Sequence, residues 1–185
     1  VNDGWSPTEP DPLRPWGTRK GDEPWRVYRA GRDDRALPVD LIERTLAHAQ
    51  NRWVRHDTGR KNPREAACAP SDLKTAITDA AADGLQGWTL RELRLTRNLL
   101  RLGPSDYHTP HTDYGGRCLT AVAMLSEPSD YDGGTLELHT DRTHPIPLGR
   151  GDIVVFPSST LHSVSPITRG ERVTVVVLLK LQPLR

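Results

Sequence analysis

The sequence predicts a mainly β domain built as a sandwich or barrel, and three observations carry that expectation. Sixteen prolines and fifteen glycines among 185 residues break the chain too often for a helical bundle. From Arg117 onward, short apolar runs alternate with glycine turns at the regular spacing of an all-β fold. The length fits a single domain with its own core, and no internal repeat divides it.

Residues 1–24 carry five prolines and the isolated Trp5 and Trp16 with no sustained period, so they read as an irregular arm whose tryptophans pack on the body. Residues 25–185 form the single domain, with helical support over 38–84 and the β core over 88–182. Val39, Ile42, Leu46 and Ala49 have helical spacing, with Pro38 suited to a first turn and Asp40 and Glu43 near the positive dipole end. A second helix is expected from Ser71, whose hydroxyl can cap it, through Leu73, Ile77 and Ala81 to Gly84. Between the helices, His56 to Pro70 reads as a long polar loop and a candidate lid.

Leu93, Leu95, Leu99 and Leu102 read as one or two strands, with helix an open alternative before Arg97. The strands expected after Arg117 are Leu119 to Leu125, Thr135 to His139, Ile153 to Phe156 and Arg172 to Leu181. Their turns are Asp132-Gly133-Gly134, Gly149-Arg150-Gly151-Asp152 and Arg169-Gly170.

Composition excludes several function classes. A balance of 25 basic against 24 acidic residues provides no global field for nucleic acid or an anionic membrane. The longest apolar run, Val175 to Leu179, is far shorter than the ~20 residues a membrane helix needs. Cys68 and Cys118 have no metal-ligand spacing and read as two reduced thiols, so a cytoplasmic location is expected. Nothing in the pattern specifies an oligomeric state.

The chemistry is concentrated in His111, Asp113 and His162. A histidine and a carboxylate two positions apart on an extended strand project to one face, and a distant histidine completes a set of two imidazoles and one carboxylate. That set suits Fe(II) and leaves metal positions open. Arg172 follows His162 by ten residues, with Pro166, Thr168, Arg169 and Gly170 able to make a reversal, so the two are expected to face each other across a hairpin. Its guanidinium can clamp a carboxylate bidentately, which suits a keto acid that chelates the iron at its other end. Arg169 competes for this role but falls in the expected turn.

The order and spacing of these residues resemble the 2-oxoglutarate and Fe(II)-dependent dioxygenases, in particular the prolyl 4-hydroxylase-like branch. The resemblance runs through His111-Thr112-Asp113, Arg117 to Leu125, Tyr131-Asp132-Gly133-Gly134-Thr135-Leu136, Gly149 to Asp152, Phe156-Pro157-Ser158, Leu161 to Val164 and Gly170-Glu171-Arg172. It covers roughly Leu99 to Leu181.

The resemblance implies a double-stranded β-helix, a jelly-roll or cupin-like barrel with the N-terminal helices packed on its major sheet. It implies iron bound by His111, Asp113 and His162 as the catalytic centre. Arg172 and Thr174 would bind 2-oxoglutarate, with O2 as the second co-substrate. Relatives carry an aromatic residue three positions before the first metal histidine. Here His108 stands in that place and Leu102 in a second aromatic position, which leaves Tyr107 as the tyrosine expected to contact the keto acid. His108 and Arg117 are candidates for substrate contact. The implied reaction hydroxylates an unactivated C–H bond of a protein or peptidyl residue, or of an amino-acid-like small molecule, while 2-oxoglutarate becomes succinate and carbon dioxide. A nucleic-acid demethylating oxygenase and a non-catalytic metal-binding jelly-roll sensor or scaffold are the alternatives. Near-neutral charge counts against the first, and the complete set of His111, Asp113, His162 and Arg172 against the second. His48, His56, His139 and His144 read as surface or edge residues.

Overall fold

In a computed structural model of the chain, residues 11–17, 23–56, 64–93, 95, 98–113 and 115–184 are described. The elements run β1 (Arg26–Tyr28), α1 (Val39–Ala49), β2 (Val54–His56), β3 (Arg64–Ala67), α2 (Ser71–Ala82), β4 (Trp88–Leu93), β5 (Leu99–Leu102) and β6 (His108–His111). They continue with β7 (Cys118–Met124), β8 (Tyr131–Gly133), β9 (Leu136–His139), β10 (Thr143–Ile146), β11 (Ile153–Pro157), β12 (Leu161–Val164), β13 (Ile167–Gly170) and β14 (Arg172–Pro183).

Alternation along β7 and β14 decides the architecture, because successive side chains of a strand point to opposite faces. Leu119, Ala121 and Ala123 of β7 and Val173, Val175, Val177 and Leu179 of β14 join one core with Ile42, Leu73 and Ile77 of the helices. Val122 and Met124 join a second core with Leu136, Leu138, Phe156 and Val164. Both faces of the strand pair are therefore buried, which explains its near-continuous apolar sequence.

The large sheet has the order β1-β11-β7-β14-β5-β3-β2, with β4 also paired to β14, and the small sheet has the order β10-β9-β12-β6. The two antiparallel sheets enclose the second core as a double-stranded β-helix, and the helices cover the outer face of the large one. Full burial of Leu73 and of Ile77 stabilises that contact by about 1.5–3 kcal/mol each.

Several expectations need correction. The stretch from His56 to Pro70 is not a plain loop, since β2 and β3 pair with each other and β3 extends the large sheet through β5; residues 57–63, the centre of the candidate lid, lie outside the described residues. Ser71 begins α2 instead of capping it: Pro70 holds the cap position, and the Ser71 carbonyl accepts a bond from Thr75. Asp132 and Gly133 belong to β8, which pairs with β13. This close pairing needs Gly170, at φ +73°, because a Cβ there would collide with the Asp130 carbonyl. Trp16 is buried against the body under the Arg26 guanidinium, whereas Trp5 falls outside the described residues.

Candidate active site

β6 and β12 are neighbours in the small sheet, and their register sets His111 opposite His162. The ring centroids are 4.3 Å apart. Asp113 arrives by a different route from the one its spacing suggested. β6 ends at His111, and the chain then bends, with the Asp113 N–H donating to the Ser158 carbonyl at 3.1 Å. The bend, and not strand parity, turns the carboxylate toward the histidines. Its oxygens lie 3.5 Å from His111 Nε2 and 3.5 Å from His162 Nε2. Ligand atoms of the three residues fall within 4.8 Å of one another, the one such group among the described residues.

Hydrogen bonds fix the chemistry of each donor. His111 Nδ1 meets the Thr109 carbonyl at 2.7 Å, and His162 Nδ1 meets the Thr160 carbonyl at 2.9 Å. A carbonyl can only accept, so each Nδ1 carries the proton. Nε2 is then the nitrogen of each ring that is directed toward Asp113, the atom that would ligate a metal. Asp113 Oδ2 accepts from the Thr120 hydroxyl at 2.9 Å, and Thr120 is itself 2.9 Å from the Ser158 hydroxyl. Since the ionised carboxylate offers no proton, Thr120 donates to it and Ser158 donates to Thr120. Burial alone would raise the Asp113 pKa. The His111 hydrogen bond, the His162 charge and the Thr120 hydroxyl together outweigh burial and hold it at about 2.

The group opens on a cavity of about 220 Å³ between the sheets, walled by Leu100, Leu102, Val122, Leu136, Val164 and Val176. Arg172 and Thr174 line it from β14 and are 3% and 2% exposed. Arg172 is not a hairpin partner of His162. β13 lies between them in sequence, and they stand on opposite sheets, facing one cavity. The Arg172 Nε is buried without a hydrogen-bond partner. Burial pushes its guanidinium below the ordinary arginine pKa, with the Tyr131 hydroxyl opposing the shift. Arg169 instead sits at the surface on Asp132, at 2.6 Å.

Other candidates are sorted by position. His108 lines the cavity, with its ring 5.8 Å from that of His111. Tyr107 and Arg117 are not among the residues lining it, and the Arg117 guanidinium lies over the Trp88 ring at 5.7 Å. His139 bonds to Thr143 and Ser163, and His144 to Asp141, away from the metal-ligand group. Sequence reasoning missed Thr120 and Ser158. The available signal was a hydroxyl in the middle of an otherwise apolar buried strand, because buried polar groups are almost always bonded to something.

Residues 97–180 match the family model of the 2OG-Fe(II) oxygenase superfamily, the span that holds all four of His111, Asp113, His162 and Arg172. That segment, somewhat under half of the chain, is similar to the superfamily. A PKHD-type hydroxylase of Cupriavidus metallidurans is 44% identical over 75 residues, 40% of this chain and 31% of that protein. One from Rhizorhabdus wittichii is 49% identical over 55 residues, 29% of this chain and 24% of that protein. The chain thus spans about a third or less of the curated relatives it matches. Among solved structures, a prolyl-4-hydroxylase of Pseudomonas putida superposes with a TM-score of 0.58 at 20% identity, covering 84% of this chain and 91% of that one. The epimerase SnoN from nogalamycin biosynthesis superposes with a TM-score of 0.63 at 18% identity, covering 84% of this chain and 76% of that one. These likenesses establish the double-stranded β-helix and show that it serves more than one chemistry.

Proposed function

We propose that the chain is a 2-oxoglutarate- and Fe(II)-dependent hydroxylase acting on a C–H bond of a peptidyl residue or an amino-acid-like small molecule. The observation that carries this reading is a single apolar cavity with an open set of metal donors at one end and a buried, incompletely bonded guanidinium at the other. The donor set fits iron: two imidazoles that turn Nε2 toward a shared carboxylate would hold the ion with three protein ligands, a set suited to Fe(II). The guanidinium fits a dicarboxylic keto acid, since its unsatisfied N–H is what a carboxylate would complete.

In this reading His111, Asp113 and His162 hold the iron, and Arg172 binds the far carboxylate of 2-oxoglutarate with Thr174 beside it. With iron bound, the site supplies a route from substrate, O2 and 2-oxoglutarate to alcohol, succinate and carbon dioxide. The chain's own part is positional. Thr109 and Thr160 set the histidine tautomers, Thr120 orients the carboxylate, and the apolar walls keep bulk water from the reacting groups. His108, which lines the cavity beside His111, would be a polar contact for the substrate. The PKHD-type and prolyl hydroxylase names among the similar proteins support a peptidyl substrate as the first class to test.

Anaerobic protein with Fe(II) and 2-oxoglutarate is expected to develop a visible charge-transfer band, and admission of air should yield succinate. A peptide or metabolite library screened by mass spectrometry then identifies the substrate by a one-oxygen gain that requires 2-oxoglutarate. Absence of both band and succinate would refute the reading.

A further inference from the structure

Behind Arg172, on the side away from the metal donors, lies a second cavity, and Arg172, Met124 and Tyr131 all line it. Arg172 therefore lines both spaces. Tyr131 stands on β8 as the aromatic member of that rear wall. Its hydroxyl lies 3.7 Å from the Met124 sulfur, which can only accept, so the phenolic proton is directed there. The oxygen lone pairs are left for a donor, and the Arg172 guanidinium is the cation beside them.

Gly134 makes this arrangement possible. A Cβ at that position would come within 2.8 Å of Arg172 Cδ and 3.4 Å of Tyr131 Cε2, and would strike the Ile167 side chain. The missing side chain lets the arginine stem and the tyrosine ring converge over one point of backbone. The Arg172 Nε remains unpartnered and buried.

We infer that Tyr131 is a positioning residue for the co-substrate site: its hydroxyl accepts from Arg172 behind the cavity and aims the remaining guanidinium donors at the far carboxylate of the keto acid. This rests on the reading of the cavity as a 2-oxoglutarate site, and the test separates the two. Calorimetry with Mn(II), which avoids turnover, measures binding of 2-oxoglutarate and of 2-oxobutyrate, a keto acid without the far carboxylate. Tyr131→Phe keeps the ring over Gly134 and removes only the oxygen.

That variant should bind 2-oxoglutarate about tenfold more weakly, the scale of one hydrogen bond to a charged group. Its affinities for Mn(II) and for 2-oxobutyrate should be unchanged, which a general loss of structure would not leave intact. Met124→Leu, which frees the phenolic proton to turn toward Arg172, should weaken 2-oxoglutarate binding by a smaller factor and provides an independent check if the tyrosine variant folds poorly. Wild-type protein that binds Mn(II) but not 2-oxoglutarate overturns the co-substrate reading and this inference with it. Wild-type binding that is lost in Arg172→Ala yet unchanged in both Tyr131→Phe and Met124→Leu overturns the positioning role alone.

Discussion

The two ends of the cavity are held in opposite ways. At the metal end each functional group is fixed by a short hydrogen bond: His111 to Thr109, His162 to Thr160, and Asp113 to Thr120 with Ser158 behind it. At the other end the Arg172 stem packs over Gly134 beside Tyr131, the residue inferred to aim it, and Nε is left unsatisfied. The difference teaches which ligand each end awaits. A metal ion demands that donors be placed before it arrives, because a small cation tolerates little error in distance. A buried guanidinium with a free N–H is completed by its ligand, and the cost of leaving that group unmet is what makes the carboxylate bind.

The sharpest break of this contrast removes a donor outright. Asp113→Ala deletes the only negative charge of the metal-ligand group, and it should reduce Mn(II) binding below detection by calorimetry and abolish succinate formation. Metal affinity within a few-fold of wild type would show that the ion sits elsewhere. Arg172→Ala comes next. It should raise the 2-oxoglutarate requirement by about tenfold to a hundredfold, the range for charge-assisted hydrogen bonds, while Mn(II) affinity stays the same. Equal loss of both ligands would mean that the two ends are one mechanical unit and the contrast false.

A milder test asks whether the hydroxyl relay at the metal end matters beyond packing. Thr120→Val keeps the shape and removes the donor to Asp113, so metal affinity should fall about tenfold, as second-layer changes typically do. Thr120→Ser should recover most of it. No change in the valine variant would reduce the relay to a structural detail and leave the histidine bonds as the sole fixed points.

What the sequence disclosed follows the same division. Helix positions were legible from apolar spacing, and the strands of the large sheet from runs such as Leu119 to Leu125, because burial on both faces leaves a dense signal. The small sheet was harder to see. β6 and β10 are four residues each, carry proline and histidine, and draw their identity from partners far away in sequence. The metal donors were legible as residues but not as geometry: Asp113 reaches the site through a bend pinned by Ser158, and Arg172 faces His162 from the opposite sheet. Thr120 and Tyr131 stood inside the quoted motifs, yet their roles depend on what lies across the barrel, which spacing along one chain does not encode.

The smallest expected effect separates two arginines three positions apart. Arg169 and Arg172 lie on consecutive strands, but Arg169 is exposed and meets Asp132 at the surface, where solvent screens the pair and the long side chain is ordered for little gain. Arg169→Ala should therefore leave both Mn(II) and 2-oxoglutarate affinity at wild-type values in the same calorimetric titrations, with the thermal midpoint essentially unmoved. A selective loss of 2-oxoglutarate binding in this variant would mean that β8 and β13 transmit the surface pair to Tyr131, which neighbours Asp132 on β8. The rear of the cavity would then be tuned from outside the barrel, and the contrast between its rigid and its ligand-completed ends would have to include the surface.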